Sequence, residues 1–190
     1  ILLTANTLQM IGQKDTAVIS LPLPTTIINN MEVINKDALY QLVTDWLKQR
    51  TYINTEIVWL LGSQLCFEHV ITSTDPDKID CEIVQFIDTV PFEEVISKTY
   101  VSGAVKQLTA VNKVLVQAFI QAFSLPGYNP RAVVPARLVS SSDQLTIDIA
   151  KVAYKKENEL DKNSLVNMTP STPVASQSNP AVTEKPKSQL

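Results

Sequence analysis

The stretch from residue 79 to residue 101 constrains the fold most, because its hydrophobic period changes from that of a helix to that of a strand. Five apolar side chains at offsets 0, 4, 7, 8 and 11 form one helical stripe: Ile79, Ile83, Phe86, Ile87 and Val90. Pro91 ends that helix, since proline disfavours helical geometry in the preceding residue and lacks an amide hydrogen. Beyond Glu94 the period becomes two, which is typical of a strand. The sequence therefore predicts a helix that runs directly into a β-ribbon.

The chain before this stretch predicts a short hairpin, a helix and a buried strand. Residues 5–11 and 16–21 have the composition of strands and flank a turn-rich link of hairpin length. Asn35 is suited to cap the helix that follows, because its side chain can accept a hydrogen bond from a first-turn amide. Residues 56–61 form a nearly continuous apolar run, as expected of a strand buried on both faces.

The chain after residue 62 predicts a second group of strands and helices. Its strands are expected over residues 65–71, 95–101, 107–111 and 131–138. Gly103 provides the turn between the two middle strands, and Asn112 caps the helix that follows them. Pro135 interrupts the last strand, which favours a sheet edge or a strand end. A weaker helical pattern occupies residues 144–159, and the sequence from residue 161 has the Pro, Ser and Thr content of a disordered tail or linker.

Composition excludes several classes of function. The chain has 190 residues, a net charge of −3 and a pI near 5.2, which argues against a broad surface for nucleic acid or anionic lipid. No apolar run approaches the roughly 20 residues of a membrane span. Cys66 and Cys81 have no CxxC spacing and no neighbouring histidines for zinc, so we expect both to be reduced thiols in the core. A cytoplasmic location is the default expectation.

Three groups of polar residues are candidates for catalytic or metal sites, and each has a simpler interpretation. Glu93 and Glu94 are adjacent on a predicted strand, where neighbours point to opposite faces and cannot easily share a substrate. His69, the only histidine, stands beside Glu68 without an evident nucleophile, so a structural role is favoured over a base. Three aspartates lack the glycine and the late glutamate of a calcium loop and suit a capped first helical turn: Asp75, Asp77 and Asp80.

The glycines are too few and too widely spaced to bind phosphate. Phosphate-binding loops need a bare backbone that can approach the anion, and this chain has only Gly12, Gly62, Gly103 and Gly127. Neither a P-loop nor a GxGxxG motif is present. The sequence therefore predicts no catalytic residues, no bound cofactor and no metal, and no binding of ATP.

The order of elements and one short motif resemble the actin-like proteins of type IV pilus assembly, the PilM-like family, and their relative FtsA. In that family a helix likewise runs into an Ile-Pro-Phe-like motif, which corresponds here to Val90, Pro91 and Phe92. An apolar strand leading into a helix follows, as at residues 108–123, and residues 21–35 are similar to the start of the first actin-like subdomain. The resemblance covers residues 5–139.

This resemblance implies an α+β fold with a partial actin-like first subdomain of hairpin, helix and strand over residues 1–62. A strand-helix-strand-strand-helix-strand subdomain over residues 63–139 would follow, then a helix over 140–160 and a disordered C-terminal tail over 161–190. The first strand lacks the Asp and glycines of an actin-like phosphate site, and the second half of the nucleotide cleft has no counterpart. The resemblance thus implies a scaffold and not an ATPase.

The functional expectation is a non-catalytic cytoplasmic adaptor of a type IV pilus or type II-like secretion platform, with an inner-membrane assembly protein as partner. A peripheral position at that membrane and a homo-oligomer are compatible with it, whereas nucleic acid and small-molecule substrates are not expected. The cytoplasmic part of the secretion protein GspL is a related possibility. The alternative is a small α+β enzyme or ligand-binding domain, which would require His69 to converge with Glu68 or Glu93 in one pocket. A third possibility is an interaction domain of unrelated lineage.

Overall fold

A computed structural model describes residues 1–48 and 55–166, and it confirms an α+β fold. Within these residues the strands are Leu2–Leu3 (β1), Thr7–Met10 (β2), Ile19–Pro22 (β3), Ile28–Asn29 (β4), Glu32–Val33 (β5), Glu56–Leu61 (β6), Phe67–Ile71 (β7), Val95–Ser102 (β8), Val105–Asn112 (β9) and Asn129–Pro135 (β10). The α-helices are Lys36–Leu47 (α1), Pro76–Thr89 (α2), Lys113–Ser124 (α3), Ile147–Lys155 (α4) and Glu157–Lys162 (α5).

The larger sheet has five strands in the order β10-β6-β1-β2-β3. Strand β6 lies parallel to both β1 and β10, whereas β2 is antiparallel to β1 and to β3. The hairpin predicted from residues 5–11 and 16–21 is confirmed as β2 and β3. The central strand β1 was not predicted, because two residues are too few to show a period.

The core of this sheet is built by helices on both faces. On one face α1 and α3 bury aliphatic and aromatic side chains around Trp59 of β6, whose ring lies edge-on to that of Phe123 at 4.8 Å between centroids. On the other face α4 and α5 cover Leu2 and Leu60 of the central strands. The side chain of Asn35 accepts a hydrogen bond from the amide of Ala38 at 3.0 Å, so the predicted cap of α1 is confirmed.

The smaller sheet is an antiparallel ribbon in the order β7-β9-β8, formed between β6 and α3 in the sequence. Gly103 and Ala104 connect β8 to β9 in a two-residue turn, and Gly103 has a φ of +59°. A positive φ at the first turn residue suits a type II′ hairpin, for which glycine is the preferred residue. Val90 ends α2 and is buried, and the ring of Phe92 lies edge-on to Phe67 at 5.7 Å.

Strand β10 does not belong to the smaller sheet, although the sequence analysis grouped it with residues 63–139. It pairs in parallel with β6 at the edge of the larger sheet, and α3 packs against α1. The sheet edge or strand end predicted from Pro135 is therefore confirmed, because β10 is an edge strand of the larger sheet and ends at this residue. We propose residues 63–112 as the bounds of the inserted subdomain, because α3 and β10 continue the larger sheet and its core.

Three further expectations from sequence need correction. Cys81 is exposed and Cys66 is half-buried, so they are not a pair of core thiols. The helix α2 buries none of its side chains fully, because its apolar stripe meets only a three-stranded sheet. Residues 161–166 do not belong to the tail predicted from residue 161, since Ser164 and Leu165 are buried against β10. The remainder of that predicted tail, residues 167–190, lies outside the described residues.

Candidate docking surface

The smaller sheet has two faces with different neighbours. Cross-strand pairing forms rows across the three strands: one row contains Phe67, Ala110 and Ser97, and another contains His69, Leu108 and Thr99. The side chains of both rows lie on the face that α2 covers. The other face carries Lys98, Tyr100 and Thr109, and it is directed toward α5 and the chain that follows it. The two faces therefore have different surroundings.

His69 contacts α2 and not the carboxylates considered from sequence. Its Nε2 atom lies 2.7 Å from Oε1 of Glu82, and its ring stacks on Phe86 at 5.3 Å. Glu82 also accepts hydrogen bonds from the amides of Thr72 at 3.1 Å and Ser73 at 3.3 Å. The hydrogen bond from His69, followed by that from Thr72, lowers the pKa of the Glu82 carboxyl below its ordinary value. Glu82 was not singled out from sequence, because a contact between a strand and a helix leaves no local period.

The catalytic arrangement that the enzyme alternative requires does not form. Glu68 is next to His69 on β7 and so points to the opposite face, where it accepts a hydrogen bond from Nε of Arg137. Glu93 is exposed in the bend before β8, and Glu94 pairs with Lys113 at 2.7 Å. His69 therefore does not converge with Glu68 or Glu93 in one pocket.

The aspartates at the start of α2 have the structural role that was expected. The side chain of Asp75 accepts a hydrogen bond from the amide of Asp77 at 3.2 Å and caps the helix, with Pro76 at its first position. Within residues 1–48 and 55–166, no three His, Cys, Asp or Glu side chains are grouped as metal ligands. None of the helices in the same ranges has the length and hydropathy of a bilayer-spanning segment.

The face opposite α2 is closed by a polar network that the sequence analysis missed. Arg137 donates to Oγ1 of Thr109 at 2.8 Å and lies over the ring of Tyr100 at 5.1 Å. Burial raises the pKa of the Tyr100 hydroxyl, which donates to the carbonyl oxygen of Asn163 at 3.1 Å. Lys98 donates to the carbonyl oxygens of Lys162 and Ser164 at 3.0 and 2.8 Å. The only sequence signal was the alternation that places Lys98 and Tyr100 on one side of β8.

Strand β8 has a free edge on the side away from β9. Because Ser102 and Val105 flank a two-residue turn, they form a hydrogen-bonded pair, and such pairs then recur at every second residue. Ser97, Thr99 and Val101 fall between these pairs, so their backbone N–H and C=O groups point away from β9. Among the described residues, no backbone hydrogen bond reaches this edge. An unpaired strand edge is a template for an additional strand.

Exposed apolar side chains are present on both α2 and β8. Helical spacing of about 100° per residue places Asp80, Val84 and Ile87 on the flank of α2 opposite Glu82. Glu82 is directed toward His69 of β7, so that flank is turned away from β7. Val84 is 60% exposed and Val101 of β8 is 68% exposed. The α2 side of the smaller sheet is thus incompletely covered, in contrast to the opposite face.

Charge distinguishes this part of the molecule from the rest. Residues 63–112 contain eight acidic side chains and three lysines, a net charge of −5 against −3 for the whole chain. Seven of the acidic residues lie between positions 75 and 94, where Lys78 is the only basic residue. In the described part of the chain, four exposed acids of this stretch form no ion pair: Asp77, Asp80, Asp88 and Glu93.

Two cavities elsewhere do not provide a better site. The larger, of about 610 Å³, includes the buried ammonium group of Ile1, which donates to the carbonyl oxygen of Val58 at 2.8 Å. We assign no ligand to this cavity. The smaller, of about 190 Å³, lies between the β8–β9 turn and α5, beside Arg137.

No family model matches the sequence, and no curated protein matches it. Similarity appears among solved structures. The chain is similar to one in a structure described as the PilM–PilN type IV pilus biogenesis complex, with 18% identity and a TM-score of 0.51 over 73% of this chain and 47% of that one. A second is the cytoplasmic domain of EpsL, an inner-membrane component of the type II secretion system of Vibrio cholerae, with 12% identity and a TM-score of 0.42 over 74% of this chain and 58% of that one.

The similarity to the PilM–PilN complex chain bears on the fold. The chain spans about half the length of the PilM–PilN complex chain that it matches. The resemblance drawn from the Val-Pro-Phe motif and the order of elements is confirmed at the level of fold: this chain has a PilM-like, actin-like architecture in part.

Proposed function

We propose that this chain is a non-catalytic docking module of a type IV pilus or type II-like secretion platform, and that it binds an inner-membrane component of that platform from the cytoplasmic side. The PilM-like fold supports the choice of system, since the similar solved structure is a complex of PilM with PilN in type IV pilus biogenesis. The proposal extends that pairing to a partner of the same kind for this chain.

One observation carries the docking role: the edge of β8 is free, and Val101 on that strand is mostly exposed. Val84 and Val101 are large apolar side chains that are mostly exposed here. Exposed apolar area next to an unpaired strand is characteristic of protein interaction sites. The polar residues that could have formed a catalytic centre are instead engaged in separate pairs, His69 with Glu82 and Glu68 with Arg137.

The proposal is tested by measuring binding to each inner-membrane protein encoded beside this gene. Each candidate is purified in detergent and titrated with the full chain in biolayer interferometry, and a strain without the gene is assayed for surface pili and for secretion. Saturable binding of one candidate, together with loss of pili or secretion that the intact gene restores, supports the proposal. If no candidate binds a folded chain, or if the deletion strain keeps both activities, the proposal is wrong.

A further inference from the structure

We propose that the edge of β8 accepts a basic, extended peptide as a fourth strand of the smaller sheet, with alternate side chains of the peptide on the face of the sheet that α2 covers. This inference deepens the proposed function, because it specifies the chemistry of the partner segment. It rests on the proposed function for its biological setting only.

The backbone of β8 determines how the peptide would bind. Ser97, Thr99 and Val101 direct their N–H and C=O groups outward, so they can form a ladder of hydrogen bonds with an added strand. Their side chains lie on the α2 face, so every second side chain of the peptide would lie on that face too. There it would meet Val101, whose exposed side chain favours an apolar contact.

The charge of α2 and of the bend before β8 determines which peptide fits. Asp77, Asp80 and Asp88 of α2 and Glu93 before β8 are exposed and lack cationic partners within the described residues. Lysine or arginine side chains of a bound strand would supply those partners. Lys106 faces the same side next to Val101, so we expect no basic residue of the peptide directly beside it.

The same charge disfavours the other occupants of such an edge. A second copy of the chain would pair β8 with β8 and bring two acidic stretches of net charge −6 together. Anionic lipid and nucleic acid would be repelled by this surface. Cytoplasmic segments next to a membrane span are enriched in lysine and arginine, and they are a natural source of a basic extended peptide.

The test uses a fluorescent probe peptide of about eight residues, the length of β8, in which valine alternates with lysine. Binding to the full chain is followed by fluorescence anisotropy at low and high salt, and the site is mapped by amide shifts in ¹H–¹⁵N NMR spectra. A second probe replaces every lysine by glutamate. We expect the lysine probe to shift amides of residues 95–102, to weaken with salt, and to bind at least about tenfold more tightly than the glutamate probe.

Two variants test the two parts of the inference. Thr99→Pro removes the backbone N–H of residue 99, which points away from β9, and leaves the hydrogen bonds between β8 and β9 in place. We expect it to reduce the affinity for the lysine probe at least about tenfold. The double variant Asp80→Lys with Asp88→Lys should reduce the affinity for the lysine probe and make that binding less dependent on salt. Asp148→Lys, at an exposed acid on α4, is the matched control and should bind as the parent chain does.

Several results would overturn the inference. Shifts confined to another sheet edge, unchanged binding by Thr99→Pro, or equal binding of the two probes would each do so. A dimer in sedimentation that Thr99→Pro dissociates would assign the edge to a second copy. If Thr99→Pro does not fold, the amide map and the charge variants decide. Because the probe needs no biological partner, its failure is distinguishable from that of the pilus or secretion assignment.

Discussion

Lys98 on β8 donates a hydrogen bond of 2.8 Å to the carbonyl oxygen of Ser164, and so connects the smaller sheet to the segment that follows α5. The hydroxyl of Ser164 in turn accepts a hydrogen bond from the amide of Val133 at 3.0 Å, and the amide of Leu165 donates to the carbonyl oxygen of Val133 at 2.8 Å. Residues 163–166 therefore cover the outer edge of β10. The outer edge of β10 is therefore covered, whereas the outer edge of β8 is not.

A truncation after Leu160 should destabilise the fold. It removes the buried Leu165 together with the hydrogen bonds that cover β10, and burying a leucine contributes about 1.5–3 kcal/mol. We expect a loss of about 2–4 kcal/mol in the free energy of unfolding, measured by urea titration. A truncation after Val166 is the control, and from the composition of the sequence beyond it we expect little change. Equal stability of the two truncations would contradict the role of residues 161–166.

Replacement of Phe119 by Ala should cost much more stability than replacement of Phe86. Phe119 is 1% exposed in the core of the larger sheet, and such a truncation typically costs about 3–5 kcal/mol. Phe86 is only half-buried on α2, so its loss should cost about 1–2 kcal/mol. Urea unfolding of both variants measures the difference. Equal losses would mean that α2 is as deeply packed as α3.

Cys81 should react with a maleimide much faster than Cys66 at neutral pH. Cys81 is exposed on α2, whereas burial raises the pKa of the Cys66 thiol to about 12, and the thiolate is the reactive form. Mass spectrometry after timed labelling gives both rates. The variant Cys81→Ser should lose the fast phase and keep the slow one. A fast phase that survives this substitution would show that Cys66 is accessible.

Glu82→Gln should reduce the loss of stability in acid. The pKa of Glu82 is lower in the folded chain than its ordinary value of 4.5, so its ionised form stabilises the fold. That contribution is fully present above pH 4.5 and is lost as the pH falls through the lower, folded-state pKa. Urea titrations of both proteins at several pH values give the difference curve. Other depressed carboxyls, such as Asp45 and Glu94, are common to both proteins and cancel. Parallel curves for the two proteins would exclude this role of Glu82.

Interactions between residues close in the chain were predictable from sequence. The caps at Asn35 and Asn112, the stop at Pro91 and the turn at Gly103 depend on groups within about four residues, and each was located correctly. The hydrophobic period likewise located α2 and β8, because periodicity reports which side of an element is apolar.

Tertiary structure alone decided which elements pair and how completely each is covered. Leu2 and Leu3 are too short a segment to show a period, yet parallel pairing with β6 places them at the centre of the sheet. The apolar stripe of α2 predicted burial, but how much of it is buried depends on the breadth of the sheet beneath it, which local sequence does not encode. The free edge of β8 has the same origin, since a strand is an edge only when no other strand pairs with its outer side.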